Sequence, residues 1–201
     1  MRAIIILNNI LNIDKNILND SFIIGADKGA INAINQGIKL DLALGDFDSV
    51  TKNEYEIIKN NSKRIIKLDP IKDVTDTNYA INLLNDYDEI ILLGGITGKR
   101  IEHFISNIID LYNHPNLKIM DNNSLILIMD KSFIPLNDYK YISLYSLDNN
   151  TIISLSGFKY NLNNYNLKIN DPLCISNEII NESYVNIIKG KLLVIYSKDD
   201  N

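Results

Sequence analysis

The strongest constraint on the fold is an alternation of two hydrophobic periods over about the first 115 residues. Continuous apolar runs are typical of strands buried on both faces, and they alternate here with segments whose apolar residues recur every three or four positions, as in helices. The strand-like runs are RAIIILN, FIIGAD, LALGD, RIIKL and EIILLGG. The helix-like segments are KGAINAINQG, TKNEYEIIKNN, TDTNYAINLLND and residues 99–112, in which Ile101, Phe104, Ile105, Ile108 and Ile109 share one face, as in an amphipathic helix that covers a sheet. The alternation predicts an α/β domain with a parallel sheet between helices.

The helical period disappears after His114 and Pro115. The remaining runs, LKIMD, SLILIMD, YISLYSL, TIISLSG, YVNII and KLLVIYS, are β-rich and are separated by Asn, Asp, Gly and Pro. They predict an antiparallel, sandwich-like or barrel-like β domain of roughly eighty residues. LKIMD can also be the last strand of the first sheet, so we place the domain boundary near residue 121, giving domains 1–121 and 122–201. The asparagine-rich segment YNLNNYNLKIND is predicted to be a loop.

Composition excludes several classes of protein. The net charge of −5 gives little electrostatic basis for binding nucleic acid. The single cysteine, Cys174, excludes an internal disulfide and a cysteine-rich zinc site. Because the sequence has neither a signal-peptide pattern nor an apolar run long enough to span a membrane, we expect a soluble, cytoplasmic protein without membrane or nucleic-acid partners.

Charged residues and glycines gather where four of the predicted strands end. GADKGA follows the second strand, GDFDS the third, LDPIKDVTD the fourth and LGGITGKRIEH the fifth. In open α/β sheets, ligands bind beyond the carboxyl ends of the strands. The four segments are therefore expected to meet at one ligand-binding edge.

The segment GDFDS places two carboxylates two residues apart. In an extended segment, Asp46 and Asp48 would point to the same face, roughly 7 Å apart, and could hold one Mg²⁺ ion together with its phosphate ligand. Alternatively, the segment is a solvated turn in which Asp48 or Ser49 caps a helix that begins near Thr51. Taken alone, the segment leaves both interpretations open.

The segment KDVTD precedes a predicted helix. The free N–H groups at the start of a helix suit capping side chains and also phosphates. We expect Asp73 or Thr75 to be the N-cap. Because a cap needs only one residue, the further acceptor Asp76 and the flanking Lys72 indicate a ligand site.

The segment GGITGKRIEH combines glycines with cations at another helix start. Gly95 and Gly98 let the backbone approach a ligand, and Arg100 can grip a phosphate with two N–H groups. The spacing matches neither a Walker A loop nor the dinucleotide-binding fingerprint, and an ordinary glycine-rich turn with exposed cations remains the alternative. His103 lies one turn inside the helix, where a core histidine is the default interpretation. Together, the segments indicate acidic groups for Mg²⁺ and donors for a polyphosphate, the parts that phosphoryl-type transfer requires.

The same motifs, taken in order, resemble those of the thiamine pyrophosphokinase family. ADKGA resembles the family's A-D-G-G-A, LGDFDSV its G-D-F-D-S, KDVTD its K-D-x-T-D and GGITGKRIEH its G-x-x-G-x-R-x-D-H. GFKYNL and SNE follow in the expected order in the second half. The resemblance implies an α/β nucleotide-binding domain followed by a β-sandwich, and transfer of a diphosphate from ATP to the hydroxyl of thiamine, with release of AMP.

The resemblance also implies roles for individual residues. Four catalytic aspartates would hold Mg²⁺ and the ATP phosphates: Asp46, Asp48, Asp73 and Asp76. A fifth aspartate, Asp27, would lie nearby. Further contacts to ATP would come from the helix starts and the glycine loop, through Ser49, Lys72, Thr75, Gly95, Gly98, Glu102 and His103, and from the catalytic residue Arg100. The family's members are homodimers with thiamine between the subunits, near residues of the second domain. Ser176 and Asn177 are therefore candidates for contacting the pyrimidine ring of thiamine.

The sequence departs from the family motifs at three positions. Lys28 replaces a glycine, Asn78 replaces a glutamate and Glu102 replaces an aspartate.

Two other functions could use the same acidic and basic groups. One is a metal-dependent nucleotide hydrolase that activates water. The other is a non-catalytic nucleotide-sensing module whose β domain contacts a partner protein.

Overall fold

A computed structural model of the chain describes residues 1–8, 10–71, 73–98 and 100–199. The chain divides into two compact units, residues 1–122 and 123–201. The described part of the first unit contains six strands, four α-helices and a 3₁₀ helix (Lys15–Leu18), in the α/β order that the sequence predicts. The strands are β1 (Arg2–Ile6), β2 (Ser21–Ala26), β3 (Leu40–Gly45), β4 (Ser62–Lys67), β5 (Glu89–Leu93) and β6 (Leu117–Met120), and the helices are α1 (Lys28–Asn35), α2 (Lys52–Asn61), α3 (Asp76–Asn82) and α4 (Ile101–Asn113).

The strands of the first unit form a parallel sheet in the order β6-β5-β1-β2-β3-β4. The chain therefore proceeds from β1 towards one edge through β2, β3 and β4, and then continues on the other side of β1 with β5 and β6. Such a reversal opens a crevice at the carboxyl ends of the central strands. The topology thus gathers the residues that follow β1, β2, β3 and β5.

Continuous apolar runs make the central strands fully buried. Ile4, Ile5 and Ile6 of β1 have no exposed surface. On one side of the sheet, Ile4 and Ile6 pack in a cluster with residues of α1 and α2 that include Ile31 and Ile58. At roughly 1.5–3 kcal/mol for each buried aliphatic side chain, this core holds the strand ends in place.

Helix α4 presents a different face to the sheet from the one that the isoleucine spacing indicates. Ile101, Ile105 and Ile109 are 68%, 51% and 57% exposed, whereas Asn107 and Asp110 are buried. Both buried polar residues have hydrogen-bond partners: Asn107 donates to the carbonyl of Gly95, and Asp110 accepts from Asn78. Because the buried amide and carboxylate face these partners, the isoleucine stripe faces outward.

The second unit contains only β structure over residues 123–199, and each of its strand pairs is antiparallel. The long strand β11 pairs with β8 through Asn177 and Glu178 and with β9 through its later residues, which links two groups of strands. The arrangement of the two groups as a sandwich stays a prediction. The strands are β7 (Ser124–Met129), β8 (Tyr141–Ser146), β9 (Thr151–Phe158), β10 (Leu162–Leu167), β11 (Asn177–Lys189) and β12 (Leu192–Ser197).

The loop prediction for the asparagine-rich segment is wrong, because residues 162–167 form strand β10. This strand pairs with β9 at the edge of its group, with a register shift between Leu162 and Tyr165, where Asn164 has a positive φ of 46°. Asn163 and Asn166 are exposed while Leu167 is buried. Pairing and apolar burial on one side therefore outweigh the low strand propensity of asparagine.

None of the four described α-helices combines the length and the apolar character that a membrane-crossing helix requires.

Candidate active site

A cavity of about 490 Å³ lies in the first unit, at the carboxyl edge of its sheet. Its walls come from the segments that follow β1, β2, β3 and β5 and from the starts of α3 and α4. Nine of the residues singled out in the sequence line it: Asp27, Asp46, Ser49, Thr75, Asp76, Gly95, Gly98, Arg100 and His103. The structure therefore brings these nine residues together at one edge of the sheet, as their positions after strands and at helix starts predict.

Asp27 is held in an unusual backbone conformation directly after β2. Its φ of 45° is positive, which is uncommon for a residue with a side chain and costs conformational energy. Its N–H donates to the carbonyl of Leu44 at 2.9 Å, and its carboxylate accepts a hydrogen bond from the N–H of Phe47 at 3.3 Å. These contacts with the β3 segment fix the carboxyl group at the cavity wall.

Three carboxyl groups interact in this wall. Burial, followed by the negative charge of Asp76, raises the pKa of Asp27 to about 7, and the charge of Asp46 acts in the same direction. The Asp27 and Asp76 side chains also share a hydrogen bond. Carboxyl groups so close to one another favour either a bound proton or a bound cation.

Asp48 does not join Asp46 in the cavity lining. The two side chains would share a face only in an extended segment, but Phe47 has a φ of 59° and turns the backbone. The Asp48 N–H donates to Asp46 Oδ1 at 3.0 Å, and the Asp48 side chain is exposed. Residues 46–48 are therefore not extended as the sequence argument assumed, and a shared ion between Asp46 and Asp48 stays a prediction.

The helix after this turn begins later than Asp48 and Ser49. Thr51 is the N-cap of α2 and forms a capping box with Glu54. The alternative interpretation, in which Asp48 or Ser49 is the cap, is therefore wrong.

The start of α3 places one acidic residue in the cavity. Of the two expected N-cap residues, Asp73 and Thr75, it is Thr75 that caps the helix. Its hydroxyl accepts a hydrogen bond from the N–H of Asn78 at 3.0 Å. Asp76 follows it in the first turn and lines the cavity, whereas Asp73 is exposed and lies outside the lining. Lys72, which was predicted to steady the triphosphate, lies outside the described residues.

The glycine loop after β5 and the start of α4 also line the cavity. Gly95 has a φ of 77°, and its carbonyl is held by Asn107. Arg100 lines the cavity with its Nε donating to Glu102 at 2.8 Å, while Glu102 itself is exposed outside the lining. His103 is half-buried and lines the cavity rather than the core.

The two candidates in the second unit differ from each other. Ser176 is exposed, with a φ of 53°. Asn177 is only 5% exposed, and its amide is used within the unit: Nδ2 donates to the carbonyl of Tyr160 at 2.8 Å and Oδ1 accepts from the Tyr160 N–H at 3.1 Å. These bonds give Asn177 a structural function.

Sequence reasoning missed several cavity residues. Asn8 follows β1, and the strand-end rule applied to that strand would have found it. Thr97 lies between two recognised glycines, and Phe104 was assigned to a helix face. Lys28 also lines the cavity, although the sequence marked it only as a departure from a motif.

The cavity therefore combines a wall of carboxyl groups with positively charged side chains and exposed backbone at two helix starts. A ligand that binds both the carboxyl groups and the positively charged groups carries several negative charges and a bound divalent cation. A nucleotide polyphosphate with its metal has this chemistry.

Comparison with known proteins agrees with this chemistry. Residues 13–120 match the family model described as thiamin pyrophosphokinase, catalytic domain, and residues 131–192 match thiamin pyrophosphokinase, vitamin B1 binding domain. The thiamine pyrophosphokinase of Bacillus subtilis (strain 168) is 35% identical over 191 residues, which cover 88% of this chain and 87% of that protein.

Solved structures give the same result. The crystal structure of thiamine pyrophosphokinase from Bacillus subtilis matches with a TM-score of 0.86 at 30% identity, covering 99% of this chain and 100% of that one. A thiamin pyrophosphokinase family protein from Enterococcus faecalis matches with a TM-score of 0.85 at 26% identity, covering 100% of both chains. Since the motifs, both domain matches and these likenesses agree, the chain belongs to the thiamin pyrophosphokinase family.

Proposed function

We propose that this protein is a thiamine diphosphokinase, which transfers the diphosphate of ATP to the hydroxyl group of thiamine. The observation that carries the proposal is the cavity in which Asp27, Asp46 and Asp76 interact and which Arg100 also lines. In the reaction, the thiamine hydroxyl oxygen bonds to the β-phosphorus of ATP, and the bond from that phosphorus to the oxygen bridging to the α-phosphorus breaks. AMP leaves with the electron pair, and the hydroxyl proton passes to solvent.

We propose Mg²⁺ as the metal of this site, held by Asp46 and Asp76. Among the described residues, no three His, Cys, Asp or Glu side chains form a ready-made metal cluster. Mg²⁺ commonly takes only one or two protein carboxylates and completes its shell with water and phosphate oxygens, so this donor set fits it. When bound, the ion supplies positive charge that offsets the charge of the phosphates. The exposed Asp48 and Asp73 are not needed for this assignment.

The remaining cavity residues bind and orient the substrate. The Arg100 guanidinium can donate to a phosphate with two N–H groups, and its Glu102 partner fixes its direction. The N-terminal turn of α3, where Thr75 and Asp76 lie, faces the same space. The catalytic power then comes from positioning and charge rather than from a covalent intermediate.

We propose residues 1–121 as the ATP- and Mg²⁺-binding domain and residues 122–201 as the thiamine-binding and dimerisation domain, with its strands forming a β-sandwich. The match of residues 131–192 to a vitamin B1 binding domain supports thiamine as the acceptor. ATP as co-substrate and the lone, unpaired Cys174 support a cytoplasmic location.

We further propose that the protein acts as a homodimer with its active site near the subunit interface. The exposed stripe of Ile101, Ile105 and Ile109 supports this, because contiguous exposed apolar surface commonly marks an interaction site. Ile101 also lines the cavity, so the stripe begins at the site. Light scattering should give the mass of two chains for the wild type, and a smaller mass for Ile105→Glu if this surface is part of the interface.

The site assignment is tested by Asp46→Asn, with Asp86→Asn as the matched control. Asp86 is exposed and follows α3, away from the cavity lining. Loss of one carboxylate at the metal should lower the rate of AMP release at least about 100-fold while the melting temperature stays close to that of the wild type. Asp86→Asn should retain activity, and an Asp46→Asn variant with normal activity would contradict the assignment.

A further inference from the structure

Lys28 lies where its positively charged side chain can contact a ligand in the cavity. It is the first residue of α1, directly after Asp27, and it is an exposed residue of the cavity lining. Within the described part of the chain, Lys28 forms no ion pair. Its ammonium group is therefore available to a ligand in this cavity.

The location of Lys28 is electrostatically unfavourable for the helix itself. The start of a helix carries partial positive charge, so a lysine in the first turn is opposed by the helix dipole. One negative charge that interacts with it is that of Glu54, whose pKa is lowered chiefly by hydrogen bonds from Thr51 and to a smaller extent by the charge of Lys28. Glu54 is already held in the capping box of α2, so the capping interaction does not require Lys28.

The charge balance of the cavity shows what Lys28 can bind. Lys28 and Arg100 are the lysine and arginine side chains among the described lining residues, and Arg100 is paired with Glu102. A triphosphate with one divalent cation keeps a net negative charge. The unpaired ammonium of Lys28, an exposed residue of the same lining, provides a positive charge for the phosphates that the carboxylates of Asp27 and Asp46 cannot provide.

We propose that Lys28 is a phosphate-binding residue, whose ammonium group contacts the phosphates of the nucleotide and sets the affinity for ATP. The inference rests on the proposed function, since it takes ATP as the ligand. The thiamine hydroxyl does not carry the charge that Lys28 would recognise. The residue should therefore affect nucleotide binding and leave the KM for thiamine unchanged.

The test compares wild type, Lys28→Ala, Lys28→Arg and Lys39→Ala, with α,β-methylene-ATP and Mg²⁺ as the binding probe. This analogue keeps the triphosphate charge but cannot be cleaved between the α- and β-phosphorus atoms. Lys39 is the matched control because it is an exposed lysine before β3, at the amino end of the strands. Alanine favours helix more than lysine does, so Lys28→Ala should retain the fold.

Lys28→Ala should weaken binding of the analogue about tenfold and raise the KM for ATP by a similar factor. The difference in affinity for the analogue between Lys28→Ala and wild type should become smaller as ionic strength rises, because salt screens an exposed charge. Lys28→Arg should restore most of the affinity, and Lys39→Ala should bind as wild type does. Wild-type affinity in Lys28→Ala, or an equal loss in Lys39→Ala, would overturn the inference.

The binding comparison for Lys28 can be evaluated whether or not the proposed reaction is observed. If the wild type binds the analogue but forms no thiamine diphosphate, the proposed function fails, and the comparison of affinities still decides the function of Lys28. If the wild type does not bind the analogue at all, both proposals are wrong.

Discussion

The carboxylate of Asp27 occupies the space that a side chain on Gly45 would need. A β-carbon added to Gly45 would collide with Asp27 Oδ1, and Gly45 has a φ of 149°, a conformation that residues with side chains rarely adopt. Gly45 ends β3 immediately before Asp46. The glycine of the GDFDS segment therefore makes room for an acidic group from the neighbouring strand.

This relationship predicts that Gly45→Ala damages catalysis by displacing the Asp27 carboxylate. A displacement of about 1 Å at a reacting site can cost on the order of 100-fold in rate, so we expect kcat/KM to fall about 10- to 100-fold. Steady-state kinetics, together with circular dichroism to establish that the variant is folded, measure this effect.

Gly37→Ala is the matched control for backbone strain. Gly37 also has a positive φ, of 75°, but an added β-carbon there would meet only the Lys15 Nζ atom, at 3.4 Å. The stability of Gly37→Ala should fall while its activity per folded molecule stays normal.

In an Asp27→Ala background, Gly45→Ala should cost less stability than it does alone, because the collision is removed. Equal costs in both backgrounds would contradict the steric explanation.

Asp110 should make stability depend on pH. It is 3% exposed, its Oδ1 accepts from Asn78 at 2.6 Å, and its Oδ2 has no hydrogen-bond partner among the described residues. Burial raises the pKa of Asp110 above its usual 3.8, against the smaller effects of Asn78 and His114. The native state then holds the proton more tightly than the unfolded chain, so this contribution to stability is complete below the usual pKa and is lost as pH rises through the raised one.

Asp110→Asn tests this linkage, because an amide resembles the neutral acid and does not titrate. Urea unfolding from about pH 4 to about pH 8 should show the variant gaining stability relative to wild type as pH rises. A stability difference that stays constant with pH, or that changes in favour of the wild type, would show that Asp110 is not held in this way.

Asn177 should be required for the stability of the second unit. Its amide satisfies both backbone groups of Tyr160 from a buried position, so Asn177→Ala should lower the free energy of unfolding by about 1–3 kcal/mol. Ser176→Ala, which removes an exposed hydroxyl, should change it by less than about 0.5 kcal/mol. If Asn177→Ala instead retains full stability and raises only the KM for thiamine, the residue contacts the substrate as first predicted from the SNE segment.

Much of the first unit could be predicted because its signals are local. Strands such as β1 consist of β-branched residues, α2 has its own capping box, and parallel strands must bring their carboxyl ends to one edge. The β10 strand could not be predicted in this way, because its asparagines are accommodated only by pairing with β9. The outward face of α4 depends on distant partners of Asn107 and Asp110, which helical spacing does not identify.

The same distinction holds within the site. Asp46 and Asp76 were identified because they follow strands or start helices. The exclusion of Asp48 from the cavity lining depends on the positive φ of Phe47, and the use of Asn177 within its own unit depends on Tyr160. These are consequences of tertiary structure that residue type and spacing leave undetermined.

The most direct test of the account is to identify the products formed by the wild-type protein from ATP, thiamine and Mg²⁺. Chromatography should show AMP and thiamine diphosphate appearing in equal amounts, with no AMP release when either thiamine or Mg²⁺ is omitted. Release of phosphate or diphosphate without thiamine would indicate a hydrolase, and ATP binding without any product would indicate a sensor. Either result would contradict the assignment of a diphosphate transferase.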